Sequence, residues 1–262
     1  MTAPEEHAHR GIAATVTATD ALINAVDKLD DMAVRGPSGL PAWTRAHVIT
    51  HLARNADALL NLLIWARTGV EHPMYTSRAD RNASIEEGST RGYLLLVEDL
   101  AAACDRFARA AETMPDSAWS TGVVAARGLP IKAARVPWLR MREVWIHLVD
   151  LDAGVGFDAV PDEVVDILLD DVVQQFDGRT DVPALTIDAM LPAGRRRSWY
   201  LGATSPDDGS PGHGDGRDGG SDDGGGSGPS VGGTGVDLLG WLTGRSDGRG
   251  LTGELPVLPR WA

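Results

Sequence analysis

Leu139-Arg140-Met141-Arg142-Glu143-Val144-Trp145-Ile146-His147-Leu148-Val149-Asp150-Leu151 is the stretch on which the reading of this chain turns. Its apolar residues recur at helical spacing, which predicts a helix. On it Glu143, His147 and Asp150 share a face with Leu139 and Ile146. Three ionisable groups on a core-facing strip are costly unless they pair or bind a metal. Upstream, Trp43-Thr44-Arg45-Ala46-His47-Val48-Ile49-Thr50-His51-Leu52 reads as the start of a second helix. At about 100° per residue its buried stripe is Val48, Leu52, Asn55, Leu59 and Leu62. His51 falls inside that stripe and His47 at its edge. Two histidines and one carboxylate from two helices, His51, Glu143 and His147, fit a catalytic zinc set with the fourth position open. The same residues fit an i,i+4 pair of Glu143 and His147 beside a satisfied core histidine. His47 and His51, also four apart, are a competing ligand pair. Spacing alone leaves these readings open.

Outward from these segments, the first half reads as helices with short breaks. The first is expected over roughly Glu5 to Asp30, with a stripe of Ile12, Val16, Thr19, Ile23, Val26 and Leu29. The second runs from about Trp43 to Arg67. Ser84 followed by Glu87 resembles a capping box, opening a third helix that ends near Met114-Pro115. The fourth runs from near Pro137 to Gly154. Four amphipathic helices in this order predict a bundle. The pattern changes after Gly156. Pro161 to Phe176 is helical. Ala184 to Leu191 alternates like a strand, with Ser198 to Leu201 its hairpin partner across Pro192-Ala193-Gly194, and Val236 to Thr243 is a short helix. The expected fold class is therefore α+β: a helical bundle over 1–156, then a smaller α/β domain over 157–262. Ser205 to Gly235 holds Gly, Asp, Ser and Pro with almost no apolar residues, so disorder is expected there. Its aspartates and the lack of a strand-loop-helix context argue against a phosphate-cradling loop.

Composition excludes several classes. The formal charge of −13 over 262 residues argues against nucleic acid as a partner. The sole cysteine, Cys104, rules out an internal disulfide and a Cys-based zinc site and reads as a small core residue. No run is long and apolar enough to span a membrane, and the opening Met1-Thr2-Ala3-Pro4-Glu5-Glu6 has no signal-peptide character, so a cytoplasmic protein is expected. His7, His9, His72 and His213 are expected to be solvated, as are Arg195, Arg196 and Arg197. Trp43, Trp65, Trp138 and Trp145 read as packing residues.

The motifs Trp43-Thr44-x3-Val48-x2-His51-Leu52 and Glu143-Val144-x2-His147-x2-Asp150-Leu151 resemble the mycothiol-dependent maleylpyruvate isomerases, members of the DinB-like metalloenzyme superfamily. Leu238-Leu239-Gly240-Trp241-Leu242-Thr243-Gly244-Arg245 is similar to that family's tail, which closes a sterol-carrier-like domain. The resemblance implies a DinB-like bundle carrying zinc on His51, Glu143 and His147. It also implies the thiol cofactor mycothiol of actinobacteria, and a dicarboxylate substrate, maleylpyruvate, turned into fumarylpyruvate in gentisate degradation. A thiolate that adds to the conjugated C=C bond and leaves again would let that bond turn; a metal with one open position would hold the thiol ionised. Arg245 is the residue expected to face the substrate carboxylates, against an ordinary role at a helix end. Asp150 either orients a ligand or caps its helix. The Gly- and Asp-rich stretch departs from the family pattern as an insertion between the last strand and the Val236 helix. Rival functions are a mycothiol S-transferase with the same ligands, a non-catalytic ligand-binding zinc protein, and a zinc hydrolase using Asp150 as base.

Overall fold

Ala8, Gly11, Thr15, Ala18, Leu22 and Ala25 are the buried face of the first helix, a ridge of mostly small residues that lets another helix approach closely. The computed structural model describes residues 3–176, 178–202 and 229–261. The chain forms two compact units, Met1–Gly156 and Phe157–Ala262.

In the first unit α1 (Ala3–Val26), the short α2 (Asp31–Arg35), α3 (Arg45–Thr68), α4 (Arg78–Ser89), α5 (Tyr93–Glu112) and α6 (Val136–Asp150) follow in order, with a two-stranded ribbon, β1 (Gly122–Val124) and β2 (Pro130–Lys132), before the last helix. The long helices α1, α3, α5 and α6 make the four-helix bundle: α3 packs on α5 and α6, and α1 on α6. Helix α6 is buried on nearly every side, including Trp138, Met141, Val144, Trp145, Ile146 and Leu148, as befits the central element.

Three sequence expectations are corrected here. The inward face of α1 is not the Ile12, Val16, Thr19 and Ile23 stripe; Val16 is 46% exposed. Those residues border a groove of about 270 Å³ against α5, while the smaller residues face α6, because a bulky contact line could not come as near. Helix α1 also starts at Ala3, and His7 in its first turns is half-buried beside Trp138, whose indole N–H donates to the His7 carbonyl at 2.9 Å. The expected third helix is two. Ser84 lies inside α4; the true N-cap is Ser77, which accepts from the Asp80 amide, and the chain breaks at Thr90-Arg91-Gly92 before α5. A polar helix with Gly88 near its end gave no apolar period by which to place that break.

The second unit contains α7 (Asp162–Gln174), β3 (Leu185–Met190), β4 (Arg196–Leu201), β5 (Ser230–Thr234), α8 (Gly235–Leu242) and β6 (Thr252–Gly253). The sheet order is β4-β3-β5-β6, with β3 and β5 parallel and the other pairs antiparallel. Along β3, Leu185, Ile187 and Ala189 point inward and alternate with Thr186, Asp188 and Met190. The hairpin turns at Pro192–Gly194, with Ala193 and Gly194 both at positive φ. Helix α7 packs on α8, and Gly235 lies so close to α7 that a Cβ there would stand 2.7 Å from Val165.

The expected disorder of Ser205 to Gly235 is therefore wrong at its C-terminal end: Ser230–Thr234 is an interior strand and Gly235 opens α8. Pairing with β3 on one side and β6 on the other orders this backbone, although Val231 alone supplies a buried apolar side chain. Residues 205–228 of that expectation, and His213 with them, lie outside the described residues. The Gly- and Asp-rich stretch, expected directly before the Val236 helix, thus stands in the sequence before β5. Nor is Arg197 simply solvated: it pairs with Asp166 and Asp170 and lies 4.7 Å from the centroid of the Trp199 ring, with Arg195 also on Asp166.

A Cβ at Gly11 would lie 2.8 Å from the Trp138 indole nitrogen. Gly11→Ala is expected to cost about 1–3 kcal/mol through overpacking of the α1–α6 seam, read from the urea midpoint; an unchanged midpoint would mean that Trp138 repacks freely.

Candidate metal centre

Helix α3 begins under tight local control. Thr44 is its N-cap, and the third helical residue, His47, reaches back so that its Nδ1 accepts from the Thr44 amide at 3.1 Å and lies 2.7 Å from the Thr44 hydroxyl. The other imidazole nitrogen of His47 faces Glu86 at 3.4 Å. His47 is thus turned to Thr44 and Glu86, away from the cluster that His51 joins. The loop before α3 is tied to the end of α6: Gly39 donates to the Asp150 carbonyl at 2.8 Å, and Arg45 Nε donates to the Leu151 carbonyl at 2.9 Å. These bonds set the start of α3 against the end of α6, six residues before His51 and one turn after His147.

The two helices then bring His51, Glu143 and His147 together, with one ligand atom from each lying within 4.8 Å of the others. Glu143 Oε2 is 3.4 Å from His51 Nε2 and 3.7 Å from His147 Nε2. A tetrahedral zinc ion with bonds of about 2.0–2.1 Å spaces its ligand atoms about 3.3–3.4 Å apart, so the donor set fits such an ion in size as well as chemistry. The imidazole planes stand at 90° with centroids 4.5 Å apart, so the rings meet edge to face rather than stacked.

Each donor has a partner behind it. His147 Nδ1 lies 2.8 Å from Asp150 Oδ2, a carboxylate on a residue only 2% exposed. That bond places the ring proton on Nδ1 and leaves the Nε2 lone pair facing the site. Glu143 Oε2 accepts from Asn55 Nδ2 at 3.3 Å, and Arg142 lies 3.6 Å from the other carboxylate oxygen. Arg81 Nη2 lies 3.2 Å from His51 Nδ1, and the Trp43 ring meets His51 edge-on at 5.7 Å. Trp43 is thus a wall of the site, whereas Trp138 and Trp145 are core. Asn55, Arg81 and Arg140 escaped sequence reasoning. An Asn within an otherwise apolar stripe was the available signal for the first. Arg245 belongs to the second unit, just past α8, where its Nη1 donates to the Thr243 carbonyl at 2.5 Å and its guanidinium carbon is 5.8 Å from the centroid of the Trp261 ring.

Burial pushes His51 down from 6.5 to about 4, and the neighbouring His147 adds to the fall, so the ring is neutral. Burial alone would raise Glu143, but the His51 hydrogen bond, then His147 and Arg142, outweigh it and hold the carboxyl well below its usual range. Below 6.5 the unfolded chain takes up a proton that folded His51 refuses, so stability is complete above that pH and is lost as pH falls toward about 4. Glu143 has the same sign further into acid. Melting of the metal-free protein is expected to fall across this window, and His51→Leu is expected to flatten the fall. Equal slopes in both would remove His51 from the acid response.

Among the described residues no helix is long and apolar enough to cross a membrane. The N-terminal-domain family of mycothiol maleylpyruvate isomerase matches residues 16–152, just over half of the chain. Two crystal structures are similar throughout, one of the mycothiol-dependent maleylpyruvate isomerase and one of a histidine-to-alanine mutant of it. Each is 29% identical, is covered to 100% and covers 100% of this chain, with a TM-score of 0.82. No curated protein matches it. With its bundle, its paired histidines and its Glu143, the chain belongs to the mycothiol maleylpyruvate isomerase family.

Proposed function

We propose that this chain is a cytoplasmic, zinc- and mycothiol-dependent isomerase that converts maleylpyruvate to fumarylpyruvate. The observation that carries the reading is the convergence of His51 Nε2, His147 Nε2 and Glu143 Oε2 from two helices of a family member. His51, Glu143 and His147 would hold the metal. When bound, it supplies a Lewis acid with one exchangeable position, suited to keeping a thiol ionised for reversible addition to a conjugated C=C bond.

The chain's own residues supply the rest. Asp150 fixes the His147 tautomer with its Nε2 lone pair toward the site. Burial keeps His51 neutral, so on metal binding His51 has only to move one proton from Nε2 to Nδ1, with no ring charge to lose. Glu143 stays ionised under the influence of His51, His147 and Arg142, and contributes the single negative charge of the donor set. That leaves a divalent ion with net positive charge, which favours an anionic sulfur over a neutral one. The substrate carries two carboxylates, and Arg245 is the residue we assign to them, because a planar guanidinium fork matches a carboxylate with two parallel hydrogen bonds.

His51→Ala, Glu143→Ala and His147→Ala are each expected to lose stoichiometric zinc by elemental analysis; retention in two of the three would sink the site. Arg245→Ala is expected to keep its zinc and lose turnover of maleylpyruvate, followed by absorbance with and without mycothiol. A normal kcat/KM would remove Arg245 from the reaction. Stoichiometric rather than catalytic consumption of mycothiol in the same assay would make the protein a thiol transferase.

A further inference from the structure

Arg140 is 1% exposed, and nothing so far uses it. Its guanidinium is held by neutral acceptors: the Leu52 carbonyl at 2.8 Å, Asn55 Oδ1 at 2.9 Å and Cys104 Sγ at 3.3 Å. Placing a cation there rather than an apolar side chain costs desolvation, which hydrogen bonds to uncharged groups offset only in part. The position explains more than the bonds do. Leu52 follows His51 directly, Asn55 is one turn further along α3, and Arg140 precedes Glu143 by one turn on α6.

A guanidinium can only donate, so Asn55 must turn its carbonyl oxygen toward Arg140. The amide then has one direction left for its N–H groups, and Nδ2 stands 3.3 Å from Glu143 Oε2. That oxygen is the one facing both imidazoles. Donor and acceptor senses are therefore fixed along the whole relay, from Arg140 through Asn55 to Glu143.

We propose that Arg140, acting through Asn55, is a positioning residue for the metal centre. The relay selects which Glu143 oxygen is presented between the histidines and locks α3 and α6 in register where they carry those ligands. The inference rests on reading His51, Glu143 and His147 as metal ligands.

Asn55→Asp tests it with the smallest change. Aspartate keeps the shape and still accepts from Arg140, but has no N–H for Glu143. In the full-length protein its Zn²⁺ Kd, measured by competition with a chromophoric chelator, is expected to weaken about 10- to 100-fold. If Asn55 merely filled space, the added negative charge beside the site would leave binding of the cation unchanged or tighten it, so a weakening is the signature of the lost N–H. A Kd unchanged within about twofold, or tightened, overturns the relay. Should the aspartate variant not fold, Asn55→Leu is read in the same way: a Kd weakened by that factor supports the relay and an unchanged one overturns it. His51→Ala in the same titration separates the two readings. Zinc still bound tightly in His51→Ala sinks the metal site itself, whereas zinc lost there with an unaltered Asn55→Asp Kd sinks the relay alone.

Discussion

Ionisable groups inside a helical bundle impose the constraint on which the rest of this structure depends. Each of His51, Glu143, His147 and Asp150 sits where an apolar side chain would be cheaper, and each is tolerable only because another group answers it. The answers are geometric as well as electrostatic. Asp150 faces one imidazole, Asn55 faces the carboxylate, and the two imidazoles meet at right angles. Take away the mutual arrangement and the bundle would be left with unpaired polar atoms in its centre.

Such an arrangement needs two helices placed to within a fraction of an ångström, and packing alone is not so exact. The protein adds directional bonds at one end and in the middle of the α3–α6 seam. At one end, Gly39 and Arg45 bind the last carbonyls of α6, and a histidine-containing capping box fixes where α3 begins. In its middle, Arg140 reaches across to Leu52 and Asn55. On the far side of α6, Gly11 admits Trp138 and so lets α1 support the helix from behind. The site thus sits on rigid elements rather than on loops, which suits chemistry that depends on orienting a few donor atoms.

Much of this was legible in the sequence, and the reasons are specific. Val48, Leu52, Asn55, Leu59 and Leu62 repeat with helical period and are all buried, so His51 could be placed facing the bundle. The alternation in Leu185 to Met190 likewise fixed β3 and its hairpin. Periodicity failed where burial is not the organising force. Helix α1 turns small residues inward, so its most hydrophobic stripe is not its most buried one. Helix α4 is polar, and its caps rather than its faces define it. Strand β5 owes its order to backbone pairing on two sides, which a composition rich in glycine conceals. Spacing left His47 and His51 as rivals; what separates them is that α6 brings Glu143 and His147 to His51, a tertiary fact.

The register around β3 has a consequence for how this protein can vary. Leu201, at the end of β4, is opposite Leu185, and Ser230, at the start of β5, is opposite Thr186. Both anchor points therefore lie at the same end of the sheet, on either side of one strand, about 10 Å apart at the usual strand spacing. A handful of residues would bridge that gap. The length of whatever joins β4 to β5 is thus decoupled from the sheet, and lineages can lengthen or shorten it at a cost that grows only logarithmically.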